Sequence, residues 1–394
     1  MTNLPQGWEW KSLGEICFIT DGTHKTPNYI ETGIPFLSVK NISKGFFDLS
    51  DVKYISLEEH NKLIKRAKPE FEDILICRIG TLGKAIKISL EFEFSIFVSL
   101  GLLKPKVKII SDYLVYFLNS YFIEGWINDN KVGGGTHTAK LNLNILEKCP
   151  IALPPLKEQE RIVGILDESF AKIDESIKIL EQNLLNLDEL MQSALQKAFN
   201  PLKDNAKENY KLPQSWEWKS LEEISENISA GGDKPKNCTE SKTAKNQIPV
   251  YANDVNNNGL VGYTDKATII KPSLTISARG TIGFVCIRKE PYFPIVRLIS
   301  LIPCENILCL HYLYFCLNFF IAKGEGSSIP QLTIPKFKSL QIPLPPLKEQ
   351  EQIAKHLDFV FEKTKALKEL YTKELKDYEE LKQSLLNKAF KGEL

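Results

Sequence analysis

An excess of charge of either sign is missing from this sequence of 394 residues, in which 50 lysines and arginines stand against 49 aspartates and glutamates, a formal net charge of +1. A protein that grips nucleic acid unaided carries a basic footprint, and no region here has a strong one. Residues 1–150 hold 18 basic against 17 acidic side chains, and residues 201–341 hold 17 against 13. The eight cysteines (Cys17, Cys77, Cys149, Cys238, Cys286, Cys304, Cys309 and Cys316) include no Cys-x-x-Cys pair. Several lie in apolar runs, which reads as buried reduced thiols and argues against a disulfide framework or a zinc site. The histidines His24, His60, His137, His311 and His356 fall at no metal-ligating spacing. No apolar run reaches membrane-spanning length, and the polar start Met1–Lys11 is unlike a signal peptide. The expectations are a cytoplasmic protein with no membrane partner, no metal and no cofactor.

Catalytic patterns are missing as well. There is no adenosylmethionine glycine loop and no Asn-Pro-Pro-Tyr-type motif, and the pair Pro154-Pro155 is flanked by leucines. Gly80-Thr-Leu-Gly-Lys84 lacks the four-residue gap and the following Ser/Thr of a phosphate loop. Carboxylates occur without a spacing that pairs them, so no catalytic residue is expected.

What is present is a repeat. Leu153-Pro-Pro-Leu-Lys-Glu-Gln-Glu160 returns as Leu344-Pro-Pro-Leu-Lys-Glu-Gln-Glu351, and Gln192-Ser193 to Ala198-Phe199 returns as Gln383-Ser384 to Ala389-Phe390. The offset is 191 residues at both ends, an internal duplication without insertion. Leu4-Pro-Gln-Gly-Trp-Glu-Trp-Lys-Ser-Leu13 likewise returns as Leu212-Pro-Gln-Ser-Trp-Glu-Trp-Lys-Ser-Leu221.

In the first copy Val163, Leu166, Phe170, Ile173, Ile177, Leu180, Leu184, Leu187, Met191, Ala194 and Ala198 alternate spacings of three and four, a heptad seam on one long helix. The double proline starts it and Asn200-Pro201 ends it. At about 1.5 Å per residue, Leu156–Phe199 would span roughly 66 Å, so its stripe needs a partner of similar length. The second copy supplies one, with a seam of Ala354, Leu357, Phe361, Thr364, Lys368, Tyr371, Leu375, Tyr378, Lys382, Leu385 and Ala389. Lys368 and Lys382 fit poorly, and Leu367 and Leu381 one residue earlier predict that the stripe drifts around the helix. Ile162, Ile165, Ile179 and Leu190 widen the apolar face of the first helix, which predicts contacts beyond the helix partner.

The organisation read from these marks is a globular domain over 1–152, a spacer helix over 153–200, a linker over 201–211, a second globular domain over 212–343 and a second spacer helix over 344–394. The fold class is α+β: two α/β globular domains in tandem, each followed by a long α-helix, the helices pairing as an antiparallel coiled coil with pseudo-twofold symmetry. Ile74–Gly83 and Leu274–Gly283 read as strand, tight turn, strand. Tyr113–Ile123 and Tyr312–Ile321 read as aromatic helices with their rings in the core. The glycine-rich stretches from Gly133 and from Gly324 read as polar loops.

The tandem Leu-Pro-Pro-Leu-Lys-Glu-Gln-Glu entries, the Trp-Glu-Trp starts at Trp8 and Trp216 and the Gly-Thr-x-Gly turns at Gly80 and Gly280 resemble the specificity subunit of type I restriction-modification systems, over essentially the whole chain. The resemblance implies two target recognition domains, each reading one half of a split asymmetric sequence in double-stranded DNA, with the paired helices setting the gap. At about 3.4 Å per base pair a spacer of roughly 66 Å could address up to about 19 base pairs. It also implies docking of two adenine-N6 methyltransferase subunits and two ATP-driven restriction (translocase) subunits, with no catalytic residue in the chain itself. Three other readings remain: the equivalent subunit of a fused restriction-methylation enzyme, a coiled-coil adaptor that binds proteins and no DNA, and a stand-alone methyltransferase, which adenosylmethionine binding by the isolated chain would revive.

Candidate DNA contacts are polar or basic side chains in or beside loops, suited to phosphates or base edges. They are Lys25, Lys40, Asn41, Arg78, Lys84, His137 and Lys140 in the first domain, and Lys234, Lys236, Asn253, Arg279, Arg297 and Gln331 in the second. Solvated surface lysines are the competing explanation. Arg78 and Arg279 are displaced by one position between the halves, so on strands they would face opposite ways, with a structural ion pair as the alternative to DNA. Helix pairing is assigned to Leu166, Phe170, Ile173, Ile177, Leu180, Leu184, Leu187, Leu357, Phe361, Tyr371, Tyr378 and Leu385.

Overall fold

The computed structural model describes residues 4–134, 139–199, 212–321 and 332–394, with the backbone of 324–325; the expected linker 201–211 lies outside them. The chain forms two compact units, one of residues 1–180 with 372–394 and one of 181–371. This division differs from a scheme of globular domains plus helices. Each unit is one globular domain together with part of both long helices, Leu156–Phe199 and Leu347–Lys391.

The duplicated tryptophan segment closes each domain. Glu9–Ser12 pairs antiparallel with Pro150–Leu153, and Glu217–Ser220 pairs with Gln341–Leu344 in the same register. Chain entry and exit are thereby zipped together just before the double proline. The repeated glutamine one turn into each helix completes the joint. Gln159 Oε1 accepts from Ile110 N at 2.9 Å while its Nε2 donates to Pro154 O at 2.9 Å. Gln350 Oε1 accepts from Cys309 N at 2.9 Å, and its Nε2 donates to Pro345 O and Ile307 O at 2.8 and 2.9 Å. Both glutamines are buried, so the amide satisfies backbone groups that water cannot reach. Tyr113 and Tyr312 repeat the device, donating to Ala152 O at 2.6 Å and Pro343 O at 2.7 Å.

In the first unit an antiparallel four-stranded sheet runs in the order Cys17–Asp21, Leu100–Pro105, Ile74–Cys77, Ala85–Lys87. Period-two alternation sends Ile74, Ile76 and Leu103 into a core shared with Tyr113, Leu114, Phe117, Ile162, Leu166, Leu386 and Phe390. Leu75, Cys77, Leu100 and Leu102 face a second apolar cluster with Leu37, Ile42, Ile88, Phe94 and Ile96, under a small sheet of Lys53–Ile55, Ile34–Leu37 and Ser95–Ile96. The second unit repeats this topology with Ser225–Ala230, Leu298–Pro303, Ser273–Ser277 and Val285–Arg288, beside Leu260–Thr264, Ile248–Tyr251 and Phe293–Pro294.

The first aromatic helix is not continuous: Ser111–Leu118 ends, and Tyr121–Asn130 begins after Asn119 and Ser120. Asn119 bonds the strand instead of the helix, accepting from Ala85 N at 3.1 Å and donating to Ala85 O at 2.8 Å. Its rings also divide, because Tyr113 and Phe117 are buried whereas Tyr121 and Phe122 are exposed. The second, Leu310–Phe320, is one helix.

Within each unit the long helices run antiparallel to one another. In the first, Leu166 shares a core with Leu386 and Phe390, Ile173 and Leu180 are buried, and Ile177, Phe170, Tyr378 and Leu385 are half-buried. In the second, Leu357 shares a core with Leu195 and Phe199, Leu187 is buried, and Leu184, Phe361 and Tyr371 are half-buried. The expected drift of the second seam does not occur. Leu367 and Leu381 are exposed while Thr364 is buried, and the two misfitting lysines pair across the helices, Lys368 with Asp188 and Lys382 with Asp174. Of the residues off the first seam, Ile162 is taken up by its own domain's core and Ile179 and Leu190 are exposed.

All eight cysteines are free, four of them fully buried; burial pushes the thiols of Cys17, Cys77 and Cys149 up to about 12. Among the described residues no cluster of metal-ligating side chains and no helix long and apolar enough to cross a membrane is found.

Candidate nucleic-acid interface

The sheet connections bring several separate loops to one end of each domain. In the first, the strand ending at Asp21 pairs Gly101 and the strand ending at Cys77 pairs Leu100. The segments 22–25, 78–84 and 97–99 therefore emerge together. Val39 N donates to Ser99 Oγ at 3.1 Å, which adds the turn Val39–Asn41. Leu141 N donates to Arg78 O at 2.9 Å and Lys140 bridges Ile79 and Val132, which adds the return from Val132 to Leu141.

Arg78 is the fastener of this end and is not on its surface. The residue is 9% exposed, Nε donates to Leu141 O at 2.9 Å, and Nη1 meets both the Asp21 carboxylate and Val98 O. Arg66 grips the other oxygen of Asp21, and His24 Nε2 lies 3.1 Å from the oxygen that Arg78 holds. Burial alone would raise the Asp21 carboxyl, but Arg66 and Arg78 hold it below the usual carboxylate range. With Nε and Nη1 engaged inside the domain and the residue buried, Arg78 is placed to fasten the loops and not to display its guanidinium. Asn41 is corrected in the same way: it is 4% exposed, its Oδ1 accepts from Ser38 N at 2.9 Å and its Nδ2 donates to Asp48 O at 3.0 Å. Lys25, Lys40 and Lys140 are exposed and Lys84 is half-buried. His137 lies outside the described residues.

In the second domain Gly231 N donates to Leu298 O at 2.8 Å, Ala278 N to Arg297 O at 2.9 Å and Leu332 N to Ala278 O at 2.9 Å, so the corresponding loops meet at the same end. Strand register places Ala278 where the first domain has Arg78, and Ala230 where it has Asp21. The buried ion pair has no counterpart here. Arg279, one residue later, is exposed, as are Lys234, Lys236 and Arg297, the last with φ +72°. Asn253 is half-buried and ties two loops together: its Nδ2 donates to Arg279 O at 2.7 Å and its carbonyl accepts from Thr281 Oγ1 at 2.9 Å. Gln331 lies outside the described residues.

Two groups escaped the sequence reading. Asp21, Arg66 and His24 form the polar knot of the first domain, and neither their spacing of 45 residues nor their order signals it. Arg288 is buried in the second domain, its Nε donating to Thr275 Oγ1 at 3.0 Å and its Nη2 to Asn258 O at 2.6 Å. The run Asn256-Asn257-Asn258-Gly259 was the one available signal, since such runs mark turns that adopt positive φ.

The family model for the type I restriction modification DNA specificity domain matches this chain twice, at residues 5–185 and 213–377. The chain belongs to that family. Each match takes in one globular domain and the greater part of the long helix after it. A type I specificity subunit of Mycoplasma pneumoniae, S.MpnORF507P, is 31% identical over 272 residues, covering 68% of this chain and 69% of the relative. The specificity subunits of the type I restriction enzymes StySPI of Salmonella potsdam and EcoKI of Escherichia coli K12 are 25% and 24% identical and align with 99% of the chain and 90% of their own length. Family likeness extends to the fold. A chain from a structure addressing complex assembly and conformational transition of the type I R-M system superposes with TM-score 0.82 at 22% identity, covering 100% of both chains. The HsdS subunit from Thermoanaerobacter tengcongensis gives 0.61 at 22% identity, covering 100% of this chain and 99% of its own. The family's specificity subunits are named as components of restriction enzymes, which accords with the lack of a catalytic arrangement in the sequence.

Proposed function

We propose that this chain is the non-catalytic subunit that gives a type I restriction-modification complex its DNA sequence specificity. Each globular domain binds one half of a bipartite asymmetric target in double-stranded DNA through the loops at the end of its four-stranded sheet. The paired helices set the gap and dock two adenine-N6 methyltransferase subunits, with two restriction subunits joining for cleavage; those subunits carry the chemistry. The observation that carries this reading is the contrast inside the duplication. The joint is repeated residue for residue (Gln159 and Gln350, Tyr113 and Tyr312, the Trp-Glu-Trp strands), whereas the loops at the sheet ends share the Gly-Thr-x-Gly turn and otherwise differ in sequence.

Identical joints suit two copies of one partner, and different loops suit two different half-sites. The exposed Lys25, Lys40, Lys140, Lys234, Lys236, Arg279 and Arg297, with Lys84 and Asn253, are the proposed DNA-facing groups. Their small number, against a net charge of +1, fits a subunit whose partners share the grip on phosphates. The test is co-expression with the methyltransferase subunit of the same system in a host lacking adenine methylation, followed by genome-wide mapping of N6-methyladenine. A single split motif with a fixed gap is expected. A stable complex that methylates no split motif would overturn the reading.

A further inference from the structure

The second domain contains a loop whose backbone is held far more firmly than a surface turn requires. Between the strands Ile248–Tyr251 and Leu260–Thr264, Asn257 and Asn258 both take left-handed backbone angles (φ 46°, ψ 35° and φ 51°, ψ 32°). Asparagine tolerates this region singly, but two in succession carry strain that the surroundings must impose. Several bonds impose it. Ala252 N donates to Gly259 O at 2.8 Å and Asn256 N to Asp254 Oδ1 at 2.9 Å. Gly259 has φ +79°, and a Cβ there would lie 2.4 Å from Ala252 O.

The strongest tie comes from below. Arg288 is 7% exposed, its guanidinium lies 3.5 Å from the Tyr251 ring centroid, and its Nη2 donates to Asn258 O at 2.6 Å. No carboxylate among the described residues pairs with it. A buried cation without a counter-ion costs free energy, which the contact with the Tyr251 ring and the hydrogen bonds to Thr275 and Asn258 offset. Here they fasten a strained loop to the sheet.

The loop displays unused hydrogen-bonding groups. Asn257 is exposed and its carboxamide has no partner among the described residues. It borders a depression of about 420 Å³ with Glu240, Ser241, Lys242 and Tyr263. Asn253 links the loop to the turn that carries exposed Arg279. A carboxamide presents a donor and an acceptor in the spacing of the adenine N6/N7 edge, and such recognition needs the backbone held in place.

We propose, resting on the DNA-reading role given above, that the loop Asn253–Gly259 is the base-reading element of the second domain, with Asn257 as a specificity-determining residue for adenine and Arg288 as the positioning residue that holds it.

The test uses the full chain with its methyltransferase subunit and the same methylation map, comparing wild type with Asn257→Ala and Arg288→Met. The second substitution follows the first domain, where Ile88 holds the corresponding place by strand register. Asn257→Ala should make one base of one half-site degenerate, with discrimination falling roughly ten- to a hundredfold, and leave the other half-site unchanged. Arg288→Met should loosen the same half-site while the complex still forms; if that variant does not fold, Asn257→Ala decides alone. An unchanged motif in Asn257→Ala, or an even fall in methylation with the motif intact, would overturn the proposal. A wild-type complex with no split motif would instead count against the role on which it rests.

Discussion

The two domains share one face of their main sheet and differ on the other. Toward the long helices, Ile74, Ile76 and Leu103 correspond by register to Leu274, Ile276 and Leu301, and all are buried in apolar cores. Toward the small sheet, the first domain places Leu75, Cys77, Ile88, Phe94 and Leu102. The second has Thr275, Ser277, Arg288, Tyr292 and Ser300 in those places, equally buried. There Arg288 bonds Thr275, and Tyr292 Oη lies 2.9 Å from Ser273 Oγ and 3.1 Å from Ser300 Oγ. The first domain keeps one buried polar pair in this layer, His60 and Ser95, and sets its buried ion pair, Asp21 and Arg78, at the loop end of the sheet. The face against the helices is thus held to one solution, and the layer that supports the loops is free to be rebuilt, mainly apolar in one domain and polar in the other.

If the shared face is the less tolerant, the largest effects should come from the helix seam. A carboxylate at Ile173 or Leu180, both buried, should abolish assembly with the methyltransferase subunit. Co-elution as a complex of unchanged size would contradict this.

Next in size are the loop supports. Arg78→Ala leaves the buried Asp21 carboxylate with Arg66 and His24 alone and should destabilise the first domain by roughly 1.5–3 kcal/mol, the size of a lost charge-assisted hydrogen bond, read as lost hydrogen-exchange protection confined to that domain. Arg279→Ala should leave protection unchanged. The double variant Asp21→Ala, Arg78→Ala copies the Ala230 and Ala278 of the second domain and should be more stable than Arg78→Ala alone.

The same pair gives the domains different acid responses. Because the Asp21 carboxyl is held low, the stability it contributes is complete above the usual carboxylate range and is lost as pH falls through its depressed folded-state value. Acid should therefore open the first domain with a component that the double variant lacks. The smallest effects belong to the cross-helix lysines: their partners Asp174 and Asp188 are 63% and 62% exposed. Lys382→Leu or Lys368→Leu should change stability by no more than about 1 kcal/mol in thermal unfolding.

Much of this architecture is legible in sequence because it is local and occurs twice. The double prolines, the heptad spacing and the Trp-Glu-Trp strands each fix a nearby feature, and their repetition doubles the signal. The candidate site is legible only as a set of loops. Which side chain of a loop faces outward depends on strand parity and on distant partners. Arg78 and Arg279 differ by one residue and end up buried and exposed. Asn41 reads as a displayed amide, yet closes its own turn. Lys368 and Lys382 break the heptad pattern because their partners lie 180 and 208 residues away, where no periodicity can reveal them. Arg288 sits in a strand whose counterpart carries an aliphatic residue, so hydrophobic patterning passes over it.

The central claim is that two independent reading modules stand on one repeated framework. Replacing residues 15–145 with the corresponding domain of another family member, and mapping N6-methyladenine made by the reconstituted complex, tests it most directly. The account predicts that one half-site changes while the other half-site and the length of the gap persist. A change in both half-sites would contradict it.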